Sequence, residues 1–177
     1  DNSTATSGFW ERGIPNGTTY NGQIFNPEVD ASGDCGQYAL VTGNLDSGSA
    51  GTDDIDDGMV DINSPEFDLT SYETPYIKFS TWFANGGGGG NPPPAPNDSM
   101  IVLISDDNGN MVALKEITVN NLMYQWEETL IKIEDYVTPT SQMHLVIRAT
   151  DSNPGHLVEA GFDSFQIIDS ASVSINE

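Results

Sequence analysis

The sequence predicts an all-β chain folded as a jelly-roll β-sandwich of two antiparallel sheets. Three observations carry that expectation. Val, Ile, Phe, Tyr and Trp gather in short runs, Gly, Pro, Asn and Asp separate the runs, and no stretch repeats its apolar residues at helical spacing. About eight such runs suit a sandwich, and a chain of 177 residues can bury a sizeable core without disulfides. Residues 1–170 are expected to form one domain and residues 171–177 a polar tail or linker.

The first strands are short, at Tyr38 to Thr42 and Met59 to Ile62. The clearest follow at Tyr76 to Ala84, Met100 to Ser105, Met111 to Ile117, Trp126 to Ile133, Met143 to Ala149 and Val158 to Ile168. Alternation assigns their faces. Ile77, Phe79, Thr81 and Phe83 point one way and Tyr76, Lys78, Ser80 and Trp82 the other, while Leu130, Lys132 and Glu134 oppose Ile131 and Ile133. Asn108-Gly109 tolerates the positive φ of a tight turn, so Asp106 to Asn110 joins two antiparallel strands. The stretch Gly86 to Pro96 is a flexible glycine run followed by a stiff proline run, neither of which can build a core. With strands on both sides it reads as a surface loop within one domain.

Charge restricts the partners. The chain has 27 acidic and 5 basic residues, a net charge of -22, which opposes phosphate backbones and anionic membrane surfaces and excludes nucleic acid. Screening over about 8 to 10 Å in salt softens such self-repulsion, and fixed divalent cations relieve it further. Both suit a secreted, extracellular or cell-surface setting. No apolar run approaches about 18 residues, so no membrane insertion is expected. The opening Asp1-Asn2-Ser3-Thr4 lacks the basic and apolar regions of a signal peptide, so in an exported protein this would be a processed or excised piece. Cys35, the one cysteine, is expected to be small and buried, with no basic neighbour to activate it.

Asp53-Asp54-Ile55-Asp56-Asp57-Gly58 packs four carboxylates into five positions ahead of an apolar run. Their repulsion calls for a counter-ion, and Ca²⁺ takes about six to eight hard oxygen ligands, whereas Zn²⁺ or copper would want His or Cys. This is no EF-hand, since the glycine is misplaced, no bidentate Glu follows and no helix flanks it. The loop reads as a calcium loop or as a solvated acidic turn. Catalysis lacks a constellation. His144, placed on a strand surface, and His156, in the turn after Pro154-Gly155, stand in no zinc-peptidase pattern, and no Gly-x-Ser-x-Gly elbow occurs. Carboxylates are too abundant for a glycosidase pair to stand out. Trp82 is, by alternation, the exposed tryptophan on which sugar rings could stack, pointing to a polysaccharide or glycoprotein partner, with core packing as the alternative.

Several ordered phrases resemble a known module: Gly8-Phe9-Trp10-Glu11-Arg12-Gly13-Ile14-Pro15, Leu40-Val41-Thr42-Gly43-Asn44, Asp54-Ile55-Asp56-Asp57-Gly58, Ser64-Pro65-Glu66-Phe67-Asp68-Leu69, Ile104-Ser105-Asp106-Asp107-Asn108-Gly109 and Val158-Glu159-Ala160-Gly161-Phe162-Asp163. From Gly8 to Ile168 the chain is similar to the jelly-roll domains, related to MAM and cleaved-adhesin domains, that follow the catalytic domain in secreted bacterial zinc carboxypeptidases and other exported proteins, notably of Bacteroidetes. The resemblance implies a non-catalytic accessory module beside an adjoining catalytic domain, with a carbohydrate-binding or adhesin domain as the alternative. It also implies a Ca²⁺ ion tying the loop before the Ser64-Pro65 strand, and the chain termini, to the end of the last strand. Carried over by position, this implicates Asp54, Asp56 and Asp163, with Glu159 and Asp30 as further candidates.

Physical chemistry bears on Asp163 separately. An Asp pointing inward near the end of an apolar strand is costly unless paired or metal-bound, and basic residues are scarce. An outward-facing residue, or one that caps a loop by hydrogen bonding, is the alternative. Relatives open with an acidic-aromatic strand before the Trp10 region that this chain lacks, so the strand is missing or lies upstream in a longer polypeptide. An edge left open in that way would accept a strand from another chain and promote self-association. Finally, Asp98-Ser99-Met100 and Asp169-Ser170-Ala171 resemble the short O-glycosylation acceptor pattern of Bacteroidetes, naming Ser99 and Ser170.

Overall fold

The computed structural model describes residues 2–45, 48–87, 95–118 and 125–169. Ser170, the tail 171–177 and residues 88–94 of the glycine- and proline-rich stretch lie outside the described residues. The strands are β1 (Glu11–Gly13), β2 (Thr19–Tyr20), β3 (Gln23–Ile24), β4 (Ala39–Val41), β5 (Gly58–Asn63), β6 (Pro75–Gly86), β7 (Ser99–Ser105), β8 (Met111–Ile117), β9 (Glu127–Lys132), β10 (His144–Asp151) and β11 (Leu157–Asp169), with one 3-10 turn at Ile133–Asp135. No described helix is long and apolar enough to cross a membrane.

Two antiparallel sheets form, one ordered β1-β4-β11-β6-β9 and the other β5-β10-β7-β8, beside a small β2-β3 hairpin. From β4 onward every connection but one passes from sheet to sheet, which is jelly-roll winding. The exception is the β7-β8 hairpin, where Ser105 faces Met111 and Gly109 takes φ 77° in the turn. Asp106 holds that turn by accepting the N–H groups of Asn108 and Asn110, each at 2.9 Å. All the strands expected from alternation are present. The longest, β6 and β11, pair from Leu157 opposite Gly86 to Asp169 opposite Pro75, with a bulge between Asp163 and Gln166.

The core lies between the sheets. Ile77, Phe79 and Phe83 of β6 and Val158, Ala160 and Phe162 of β11 meet Val60, Met100, Val102, Ile104, Leu145, Ile147 and Ala149 from the other sheet. Phe79 and Phe162 stack with ring centroids 5.3 Å apart. Alternation sends Trp82 and Ala84 to the opposite face, where they form a second apolar cluster with Ala39, Val41, Phe25 and Ala50. The chain around Phe25 lies over this outer face as a partial third layer, so Trp82 is only 2 % exposed. Its direction follows the alternation; its exposure does not, because a pleat determines which way a side chain points and not what later covers it. Trp82 sits across from Gly161, and any Cβ at that position would run into the indole ring.

Two further expectations change. Cys35 is exposed, because it lies among the turns that lead into β4 and no strand carries it inward. At the edge strand β5, Met59 O accepts the N–H groups of Thr4 and Ala5 at 2.8 and 3.1 Å, so the N-terminal segment shields the start of this edge.

Trp82→Ala should therefore cost about 3–5 kcal/mol of stability, and Gly161→Ala about 1–3 kcal/mol by pushing the indole aside. Urea unfolding reads both; an unchanged midpoint for Trp82→Ala would return the indole to the surface.

Candidate functional site

The acidic loop enters β5 under restraint from the N-terminal segment. Ser7 Oγ donates to the Asp54 carbonyl and to Asp56 Oδ2, both at 2.8 Å, and Thr6 N–H donates to the Asp56 carbonyl at 2.9 Å. Gly8, at φ 68°, lies so close that a Cβ would stand 2.5 Å from the Asp54 carbonyl oxygen, which only glycine avoids. Asp57 also takes a positive φ, 53°, and donates its N–H to Asp151 Oδ2 at 3.1 Å. Asp151 ends β10 opposite Gly58, and its Oδ1 accepts the His156 N–H at 2.9 Å. Loop and strand end are thus laced together through carboxylates.

Asp54 is 4 % exposed. Burial, then the charges of Asp56 and Asp151, push its pKa up to about 7. Burial likewise raises Asp151, with Asp98 and Asp56 adding to it against the hydrogen bonds from His156 and Asp57. Asp98, Asp151 and His156 are all buried, and one ligating atom from each lies within 4.8 Å of the others. Asp98 Oδ2 stands 3.0 Å from His156 Nδ1, and Asp98 Oδ1 accepts the Ser152 N–H at 2.6 Å. The Asp98–His156 contact is one of proximity, without the alignment of a good hydrogen bond. A cavity of about 360 Å³ opens beside the group, walled by Asp54, Asp56, His156, Tyr20 and Leu157.

Lys78, Lys115 and Lys132 pair with Glu128, Glu127 and Glu134, and Arg148 pairs with Asp61 through two bonds of 2.8 and 2.7 Å. Among the described residues no Lys or Arg forms an ion pair with Asp54, Asp56 or Asp151. Hard carboxylate oxygens beside an open cavity, without a basic partner, fit a divalent cation of the calcium kind. Asp54 and Asp56, which wall the cavity, are the residues that would hold it, with Asp151 beside them in the group of Asp98, Asp151 and His156. Bound there, the ion would keep these carboxyls ionised.

The residues named from sequence do not all meet. Glu159, on the outer face of β11, is completely buried, with Thr18 Oγ1 donating to Oε2 at 3.0 Å. Burial, with Asp54 and Asp53 adding, pushes its pKa up to about 9, so it stands protonated at neutral pH. Asp163 lies further along the same face, opposite Ser80, and joins Asp30 and Asp34 in a second group whose ligating atoms lie within 4.8 Å. It faces the covering layer and not the inter-sheet core, and its Oδ2 accepts the Ala31 N–H at 3.0 Å, the loop-capping alternative. Burial raises its pKa against the hydrogen bonds from Ser164 and Ala31, with Asp34 and Asp30 adding to the rise. One expected site is divided between two places.

No sequence signal singles out Asp98, Asp151 and His156 as ligands beyond the position of Asp151 at the end of an apolar strand. His144 is half-buried on β10, and His156 follows an exposed turn, with its own side chain buried. Trp10 and Trp126 donate their Nε1–H to the carbonyls of Val60 and Val29 at 3.2 and 2.8 Å, a structural use of both rings. Ser99 is half-buried in β7, its N–H donated to Thr150 Oγ1 at 3.2 Å.

No protein-family model matches the chain, and no curated protein does. Among solved structures it is similar to the K1 cleaved adhesin domain of Lys-gingipain from Porphyromonas gingivalis W83, with 14% identity over 95% of this chain and 90% of that one and a TM-score of 0.47. The K3 domain of the same protein gives 12% identity over 94% and 92%, at 0.43. An arabinose-bound α-L-arabinofuranosidase, MgGH51, gives 9% identity over 95% of this chain and 22% of that one, at 0.41. The fold rests on the strand order and register above, and nothing about activity or partners follows from these likenesses.

A carboxyl that holds its proton more tightly folded than unfolded supports the fold at acid pH and loses that contribution as pH rises through its folded pKa. For Glu159 the loss runs from its ordinary 4.5 to about 9, and for Asp54 from 3.8 to about 7. Melting temperature in metal-free buffer should fall as pH rises across this window. Glu159→Gln should flatten the fall on its alkaline side; a wild-type profile that is level throughout would contradict the burial of these acids.

Proposed function

We propose that this chain is a non-catalytic, calcium-stabilised accessory or binding module of a secreted multidomain bacterial protein, with a metallocarboxypeptidase as the parent. The observation that carries the reading is the meeting of Asp54 and Asp56 at one cavity, with Asp151 electrostatically coupled to both, and without a Lys or Arg ion pair to any of the three among the described residues. A Ca²⁺ ion there would join the acidic loop to the end of β10 and, through Ser7 on Asp54 and Asp56, to the N-terminal segment. Its chemistry would be electrostatic: it would offset the burial and the repulsion that together raise the pKa of Asp54. The strongly acidic surface and the ordered phrases from Gly8 to Asp163 support an extracellular module of this kind. Burial of Trp82 removes the sugar-stacking platform on which a carbohydrate reading would have rested, so the accessory role stands ahead of it.

Calcium should raise the melting temperature and chelation should lower it, by about 2.7 kcal/mol of stability at a hundredfold excess over the dissociation constant. Asp54→Asn with Asp56→Asn should abolish the response, whereas Asp163→Asn should retain it. A wild-type protein indifferent to calcium would sink the proposal, and loss of the response only in Asp163→Asn would move the ion to the other acidic group.

A further inference from the structure

At the other end of β5 the sheets part around an apolar cleft of about 300 Å³. Leu40 and Phe162 come from one sheet, Ile62, Leu145 and Ile147 from the other, and Phe165 lies at the opening, 36 % exposed. A recess of about 140 Å³ shares Leu40, Phe162 and Phe165 with the cleft and is otherwise walled by Arg12, Tyr38, Ala39, Asp163 and Ser164, so one carboxyl, held by the Ala31 N–H, stands in the same wall as the guanidinium. The two hollows are thus neighbours across three side chains, the larger apolar and the smaller polar. Ligand sites have this form, about 300 Å³ or more of mostly apolar wall with a few convergent polar groups.

Two features of the mouth point to what it takes. The first is Arg12. Four of the chain's five basic side chains hold a carboxylate, yet Arg12 makes no ion pair among the described residues despite 27 acidic residues in the chain. Its guanidinium instead lies 4.7 Å over the ring of Tyr38, which is itself exposed. Stacking of this kind orients the planar group and leaves its N–H edge available to an anion. The second is Ser164. It is 7 % exposed, takes φ 54° within the β11 bulge, and its Oγ has no hydrogen-bond partner among the described residues. A buried hydroxyl left unsatisfied costs stability, and a left-handed non-glycine residue adds strain; both are relieved or repaid where a ligand supplies the partner.

Net charge narrows the ligand further. A chain at -22 repels polyanions at long range, whereas a single negative charge meets far less repulsion than a polyanion, and an apolar body attached to it can be buried in the cleft. We infer that this cleft binds an amphiphilic monocarboxylate of the fatty-acid type, its acyl chain between the sheets and its carboxylate on Arg12, with Ser164 Oγ as a second donor. The site is separate from the acidic loop and stands whether or not calcium binds there.

Calorimetric titration of the intact chain with decanoate, decanol and decylammonium, below their micellar concentrations, tests this. Decanoate should bind saturably, one per chain, and about tenfold more tightly than the other two, the worth of a charge-assisted bond. Arg12→Gln, at an exposed position, should weaken decanoate about tenfold and leave decanol unchanged, and Ser164→Ala should weaken decanoate less. Equal binding of decanol, an unaltered Arg12→Gln, or no saturable binding would each overturn the assignment. Concentration-dependent dimerisation in sedimentation that Phe165→Ala abolishes and decanoate leaves untouched would give the cleft to a second copy of the chain, overturning it equally.

Discussion

Over Phe79–Asn85 and Val158–Ser164 the β6–β11 pair is buried on both faces, and most of what is distinctive in this molecule depends on that constraint. Its inner face supplies Phe79 and Phe162 to the core between the sheets, as any sandwich requires. Its outer face carries Trp82, Glu159 and Asp163, which in an ordinary half-solvated antiparallel sheet would stand in water. Here the chain around Phe25 and Ala31 lies over them. That layer takes an indole out of reach of ligands and confines two carboxyl groups in a medium that disfavours their charge. Glu159 responds by holding its proton, and Asp163 by accepting the N–H of the segment that covers it.

Charge sets the second level of organisation. The four basic residues on β6, β8, β9 and β10 are committed to Glu127, Glu128, Glu134 and Asp61. Among the described residues no Lys or Arg pairs with the carboxylates where the acidic loop meets the end of β10, and His156 is the one nitrogen base set among them. The same scarcity makes Arg12 conspicuous at the mouth of the apolar cleft. One end of β5 thus collects uncompensated negative charge, while the other adjoins an uncommitted positive one.

The fold was legible because its signals are local. Alternation in β6 to β11, the Asn108-Gly109 turn and the absence of helical periodicity each depend on a few neighbouring residues, and all have their counterparts in the structure. The site was legible only in part. Asp54 and Asp56 announced themselves by density of charge, but Asp98, Asp151 and His156 come from β10 and the chain flanking β7 and β11, and no spacing rule links them. Asp163 was grouped with the acidic loop although it belongs with Asp30 and Asp34, a matter of position along β11 that sequence order does not reveal.

The sequence by itself therefore determined the class of fold, the location of its strands, the direction of most side chains and the excess of negative charge. Tertiary structure decided which of those side chains are covered and which carboxylates meet. The physical reason is the range of the interactions. A strand's pleat repeats every two residues whatever lies beside it, whereas burial and electrostatic coupling depend on strand order, on register and on a segment folded over the sheet from more than a hundred positions away, as Ala31 is over Asp163.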